Sequence, residues 1–400
     1  MENLLQILHA EDSDRFVFEG FESLIAPIDS ETFFKDYWEK RAFFIKRAKT
    51  GYFDSLLSLA DIDQFIGTRL FRKADIRIAK QGKIRDFEDF SKDGAADRGI
   101  LLNEFANGST LVFEHLNRHH APLAHAIYQC EADLHVPFRS NIYLTPAQSQ
   151  GFAQHWDTHD VLILQVHGKK TWQVFDSPMA LPHEAHKFDS SWTGKANLLA
   201  EITLEPGDVL FLPRGFVHSA STSDGTSLHI TIGMRSLTLG DVATRAFEKA
   251  VKANVAMRKV ALFREYQDEQ RIEDARALLH DIVEGMDIRA ALDEVYCSFI
   301  RSRFPPLDGR LLALTEAEPI THTSALKIRA GSLYQTFLKD ETLRLAVDGK
   351  VVVLPRGVEE AIGYMQNQPS FTPADLPGLE QESKLILSRR LVQEGLLEPA

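Results

Sequence analysis

His155-Trp156-Asp157 and the later His218 could bring two imidazoles and one carboxylate to a single metal ion. Along an extended strand His155 and Asp157 face one side and Trp156 the other, so one segment can supply two ligands. The third must come from a neighbouring strand, and the stretch from Glu205 to His218 has the pattern to deliver it. Pro206-Gly207-Asp208 marks a turn, Val209 to Leu212 a short buried strand, and Pro213-Arg214-Gly215 a second turn. His218 then opens the next strand. Three protein ligands on adjacent corners leave positions free for substrate and oxygen, the usual arrangement in non-haem Fe(II) oxygenases. In a chain with 15 histidines an H-x-D pair is a weak signal alone. The surrounding elements have to support it.

Those elements read as a run of short strands. Ser140 to Thr145 alternates polar and apolar residues, and Asp160 to Val166 is a continuous apolar run. Thr171 to Phe175 follows a turn at Gly168. Ile202 to Leu204, Val209 to Leu212, Phe216 to Ala220 and Leu228 to Ile232 complete the set. Short strands divided by Gly, Pro and Asp turns predict a sandwich or small barrel. A jelly roll, the cupin architecture, seats a metal in its open end.

Three segments carry a resemblance to a known family: Asn141-Ile142-Tyr143-Leu144-Thr145-Pro146, Gly151 to Asp157, and Leu162 to Trp172. With Leu204 to Asp208 and Pro213 to His218 they resemble the core of the JmjC-type ribosomal oxygenases, Fe(II)- and 2-oxoglutarate-dependent hydroxylases of ribosomal proteins. The specific likeness runs from about Ser140 to Ile232. It implies His155, Asp157 and His218 as iron ligands, and Lys170 as the cation for the distal carboxylate of 2-oxoglutarate. It also implies Asn141 and Tyr143 as residues of the co-substrate pocket. Bacterial arginyl hydroxylases of this family carry Arg where this chain has Lys170, and the histidyl hydroxylases carry Lys. The family reaction decarboxylates 2-oxoglutarate to succinate and CO₂ with O₂ and hydroxylates an unactivated C–H. A dicarboxylate buried beside iron needs such a cation, because an unpaired buried charge is costly. Lys170 shares a strand face with Trp172, whereas Lys169 reads as solvated.

The whole chain is expected to be α+β, a double-stranded β-helix (jelly roll, cupin/JmjC) core with a helical dimerisation region and a C-terminal winged helix. The boundaries expected are 1–239 for the oxygenase domain with N-terminal α/β elements, 240–304 for the helical region and 305–400 for the winged helix. Ser30 to Arg47 reads as a capped helix and a strand whose Phe33, Phe34, Trp38 and Phe43 are core contacts. Val112 to Cys130 reads as a helix. It carries His115, His119, His120 and His125, taken as surface histidines because no carboxylate or Cys completes a second metal site. Ala243, Phe247, Val251, Val255 and Leu262 recur at near-helical spacing, as do residues from Ile272 to Ile300. The resemblance makes this region the dimer interface. Phe304 to Gly309 marks a linker. Leu343 to Val347, Asp348-Gly349 and Lys350 to Leu354 form a hairpin signal, because Asp-Gly suits a type I′ turn. Helices from Val358 to Met365 and from Gln381 to Glu394 flank Phe371 to Gly378, and Gly395 ends the last.

Composition narrows the partners. Two cysteines, Cys130 and Cys297, suit a reducing, cytoplasmic setting rather than a disulfide framework. Residues 1–20 carry Glu2, Glu11, Asp12 and Asp14 and lack a signal-peptide pattern, and no stretch reads as a membrane span. A formal net charge of −12 argues against direct nucleic-acid binding and suits a basic polypeptide such as a ribosomal protein. Residues 301–400 hold 12 Lys or Arg and 13 Asp or Glu, without the basic footprint of a DNA-binding winged helix. The leading expectation is a homodimeric oxygenase that hydroxylates a polypeptide side chain, His or Arg foremost. The alternatives are an oxygenase of a small metabolite or modified peptide natural product, and a non-catalytic metal-binding cupin with a regulatory winged helix.

Overall fold

The apolar run Asp160–His167 is a central strand, paired on one edge with Val209–Leu212 and on the other with Ser227–Met234. Burial on both faces explains why it lacks polar alternation. In this computed structural model, residues 1–3, 11–14, 193, 262, 263, 265, 266, 309, 312–318 and 340 lie outside the described set. Leu262, Gly309 and the acidic Glu2, Glu11, Asp12 and Asp14 fall among them. The chain divides into two units, 1–236 with 304–311, and 237–303 with 312–400.

The first unit is built on a nine-stranded sheet. Its order is Leu5–His9, Ala42–Lys46, Val209–Leu212, Asp160–His167, Ser227–Met234, Phe138–Thr145, Thr110–Phe113, Ile76–Lys80 and Lys83–Ile84. A three-stranded sheet, Leu198–Leu204, Lys170–Phe175 and His218–Ser221, faces it. Val161, Ile163 and Leu210 of the large sheet pack with Trp172, Val174 and Ile202 of the small one, which gives the jelly-roll interior. The other face of the large sheet is covered by the N-terminal helices. There Phe33 and Phe43 are fully buried and both meet Phe211, with ring centroids 5.1 Å apart in each case. Phe34 departs from the core expectation. It is 40% exposed on the π-helical turn Phe33–Tyr37, though its ring covers Phe33 and Trp38.

Two other expectations are corrected. The segment from Val112 to Cys130 is not one helix: the strand Thr110–Phe113 and a 3₁₀ turn Leu116–Arg118 precede the helix Ala121–Leu134. His115 has a left-handed backbone, φ 52°, which breaks any helical face shared with His119 and His120. The helix starts only where Pro122 sits in its first turn. The last ligand strand also starts later, as His218–Ser221, because Gly215 takes φ 90° and a Cβ there would lie 2.5 Å from Ser177 Oγ. Strands at Leu5–His9, Ile76–Lys80 and Thr110–Phe113 widen the sheet beyond the core read from the sequence.

In the second unit, the helix Leu239–Ala253 opens on a Thr238/Asp241 capping box. The stretch read as one helical run is two helices, Glu269–Glu284 and Ile288–Ser302, divided at Gly285. Strands Tyr334–Lys339, Thr342–Val347 and Lys350–Pro355 form a meander. Asp348 and Gly349, with φ of 36° and 85°, supply the turn expected of Asp-Gly. Helices Glu359–Gln366 and Gln381–Glu394 pack on it, and Gly395 at φ 84° ends the latter.

Candidate metal and co-substrate site

His155 and His218 face each other on an isolated antiparallel bridge. The His155 N–H donates to the His218 carbonyl at 3.0 Å and the His218 N–H returns the bond at 2.8 Å. Their ring centroids stand 4.5 Å apart. Each ring spends Nδ1 on a nearby carbonyl, His155 on Ala153 at 2.8 Å and His218 on Phe216 at 3.1 Å. A hydrogen on each Nδ1 leaves each Nε2 with a free lone pair. Those Nε2 atoms lie 3.9 and 3.7 Å from the two Asp157 carboxylate oxygens. One ligand atom from each of the three residues falls within 4.8 Å of the others. Burial, then the neighbouring His155, brings His218 down to about 4, so it is neutral and able to ligate at physiological pH. Burial alone would raise Asp157, but His155, His159 and His218 carry it below its usual value.

The triad opens onto a cavity of about 290 Å³ between the two sheets. Lys170 lies at its other end, 4% exposed. Its Nζ donates to Thr145 Oγ1 at 2.9 Å, and no carboxylate among the described residues pairs with it. Burial lowers its pKa to about 7. Trp172 Nε1 and His229 Nδ1 are also buried without a partner. The His229 ring stacks on Tyr143 at 4.8 Å and is kept neutral by burial and then by Lys170. A chelating dicarboxylate fits this arrangement. One end would join three protein ligands on an oxygen- and nitrogen-binding metal, and the other would meet a cation that has no acid of its own.

The remaining wall includes Arg77, Phe152, Tyr143, Ser219 and Thr231. Tyr143 is raised by burial and then by Asp157, so its hydroxyl keeps its proton. Asn141 is not among the lining residues. Its Oδ1 accepts from the His115 N–H at 3.2 Å, and Asn141 shares a strand face with Tyr143 two residues on. Lys169 is exposed, as read, though it forms a surface ion pair with Glu205. The turn before Lys170 needs Gly168: at φ 63°, a Cβ would sit 1.9 Å from the Thr226 carbonyl oxygen. Thr145, His229 and Thr231 were missed. Strand alternation could have found them, since 141, 143 and 145 share a face, as do 229 and 231.

Comparison with known proteins agrees with this geometry. The JmjC domain profile matches residues 117–242. Ribosomal oxygenase 2 of Rattus norvegicus is 30% identical over 319 residues, 77% of this chain and 63% of that protein. The chain is therefore similar to the JmjC-domain ribosomal oxygenases. Within that family, the bifunctional lysine-specific demethylase and histidyl-hydroxylase NO66 of Drosophila persimilis is 28% identical over 71% of this chain and 40% of its own length. The chain thus spans less than two thirds of either relative. Crystallised ribosomal oxygenase YcfD of Escherichia coli shares the fold, with a TM-score of 0.53 at 17% identity, over 93% of this chain and 98% of that one. YcfD has also been solved with cobalt and 2-oxoglutarate.

Proposed function

We propose that this chain is an Fe(II)- and 2-oxoglutarate-dependent oxygenase that hydroxylates a side chain, His or Arg foremost, in a ribosomal protein or another polypeptide. The observation that carries the reading is one cavity with a His-Asp-His triad at one end and buried, acid-free Lys170 at the other. His155, Asp157 and His218 would hold iron on three corners. Iron, when bound with 2-oxoglutarate and O₂, supplies the oxidising power to replace a C–H with C–OH. The chain's own residues position and shield. Lys170, anchored on Thr145, holds the distal carboxylate. Neutral Tyr143, steadied by Asn141, presents a hydroxyl beside Asp157. Trp172, Val161 and Ile163 keep the inner wall dry. No general base is needed for hydrogen abstraction.

The rest of the chain is assigned on the same footing. Residues 1–239 are the oxygenase domain, 240–304 a helical region that pairs two copies, and 305–400 a winged helix for structure or substrate docking. Exposed Val255, Leu279, Val283 and Leu292 support the pairing role. No described helix is long and apolar enough to cross a membrane. A ribosomal-protein substrate goes with a cytoplasmic location. The test is incubation with Fe(II), 2-oxoglutarate and a ribosomal-protein extract, followed by peptide mass spectrometry. The reading expects a gain of one oxygen atom on a specific peptide, absent with His155→Ala. Equal modification by both proteins would sink it. Succinate formation without a modified peptide would instead favour a small-molecule substrate.

A further inference from the structure

Asp157 lies in the loop before the strand Asp160–His167, His218 opens the strand after the Pro213-Arg214-Gly215 turn, and one buried ion pair ties those two segments together. Arg214 lies between the strand Val209–Leu212 and His218, and Asp160 opens the strand that follows Asp157. The Arg214 N–H donates to Asp160 Oδ1 at 3.1 Å, and its Nη1 donates to Asp160 Oδ2 at 3.3 Å. The next residue continues the stitch, since the Gly215 N–H donates to the Asp157 carbonyl at 3.0 Å. The far side of the guanidinium is held as well. Nη2 meets Glu39 Oε1 at 2.6 Å, Nη1 also meets Ser236 Oγ, and Ser236 Oγ donates to Asp160 Oδ2 at 3.1 Å. Asp160 is fully buried and Arg214 is 6% exposed. Neither lines the cavity.

We infer that the Arg214–Asp160 pair is the positioning clasp of the metal centre, fixing the Asp157 loop and the His218 strand at ligating separation before a metal arrives. The inference rests on the triad being a metal site. Two features favour a positioning role over a general contribution to stability. The bonds run to backbone as well as side chain, and they join the residue next to Arg214 to the carbonyl of a ligand itself. A planar, forked guanidinium can satisfy Asp160, Ser236 and Glu39 at once, and an ammonium cannot hold that geometry. A second buried pair provides the control. Arg303 Nη1 donates to Asp348 Oδ1 at 3.0 Å in the other unit, equally dry and with no part in the triad.

The experiment titrates Co(II) into the metal-stripped full-length chain, reading affinity by calorimetry and ligand geometry from the cobalt d–d absorption. Thermal unfolding of the metal-free protein runs in parallel. Arg214→Met and Asp160→Asn should weaken Co(II) binding about 10- to 100-fold, the range for residues that orient ligands, and should alter the absorption bands. Arg303→Met should lower thermal stability and leave both cobalt readouts unchanged. Arg214→Lys keeps the charge and the fold and should still bind Co(II) more weakly than the parent. If Arg214→Met does not fold, Arg214→Lys decides. Wild-type affinity and spectrum in a folded Arg214 variant would overturn the clasp alone. Failure of the unaltered protein to bind Co(II) would overturn the metal site itself.

Discussion

At the metal end of the cavity His155 and Asp157 lie in a loop held by an isolated bridge to His218, the first residue of a short strand, whereas at the far end Lys170 heads a longer strand paired on both edges. The electrostatics differ too. His155 and His218 direct Nδ1 to carbonyls and face Asp157, so the metal end is satisfied in its neutral-imidazole form. Lys170 has a threonine hydroxyl and, among the described residues, no ion-pair partner. One end is prepared by backbone geometry. The other holds a charge that only a ligand can balance. Stability and function should therefore respond in the same direction at the first end and in opposite directions at the second.

The largest effect belongs to the triad. Replacing His155 or Asp157 with Ala removes a ligand and should abolish stoichiometric iron, measured by elemental analysis. Hydroxylation should fall on the order of 10³-fold or more, since the metal carries several kcal/mol of the barrier reduction. Retained turnover in either variant would mean that the triad is not the reacting centre.

Lys170→Met is expected to divide the two readouts. Removing one member of a buried pair costs about 3–5 kcal/mol, so 2-oxoglutarate should bind roughly 10²- to 10³-fold more weakly in the presence of Mn(II). The unliganded protein should melt higher than the parent, because a buried cation without a counter-ion has been replaced by an apolar chain. A lower melting temperature together with weaker binding would mean that Lys170 is already stabilised in the empty cavity.

The same contrast has a pH signature. Lys170 titrates near 7 in the fold, against an ordinary value of 10.5. Between those values the unfolded chain holds the extra proton, so the Lys170 contribution makes the unliganded protein more stable as pH rises through that window. Below about pH 7 both states are protonated and the full penalty of the buried charge remains. Binding of a dicarboxylate reverses the preference. At pH 8 it should draw in close to one proton, and at pH 6 almost none. Calorimetry in buffers of different ionisation enthalpy measures this directly, and Lys170→Met should abolish it.

The two ends also differed in how far they could be read from sequence. The triad was visible because His155, Asp157 and His218 have distinctive chemistry and the Pro-Gly-Asp turn announces the strand before the last ligand. Lys170 was visible only through family resemblance, since an Lys-Lys pair after glycine reads equally well as an exposed turn. Long-range pairing decided which lysine points inward. The His115 region went wrong for a local reason: a left-handed residue and a short 3₁₀ turn leave little trace in helical periodicity. The Arg214–Asp160 pair was hidden because Pro213-Arg214-Gly215 reads only as a turn and the contact depends on that turn meeting the start of a strand 54 residues earlier. In the second unit, Asp348-Gly349 and Gly395 were legible because their backbone angles are written in residue type.

The smallest effect should separate direct contact from support within the middle of the cavity. Tyr143 lines it and Asn141 does not, yet both project from one face of the strand Phe138–Thr145. Tyr143→Phe removes one neutral hydroxyl while keeping the stack on His229, and a bond of that kind is worth about 0.5–1.5 kcal/mol. Binding of 2-oxoglutarate should weaken roughly 2- to 10-fold. Asn141→Ala should produce a similar loss by removing the strand-face neighbour that positions the Tyr143 side chain, and it should also free the His115 N–H, which a modest drop in melting temperature would report. Because both changes act through one hydroxyl, the double variant should bind only as weakly as the poorer single one. Additive losses would instead give Asn141 its own contact with the co-substrate, and Asn141 would then belong to the cavity wall rather than behind it.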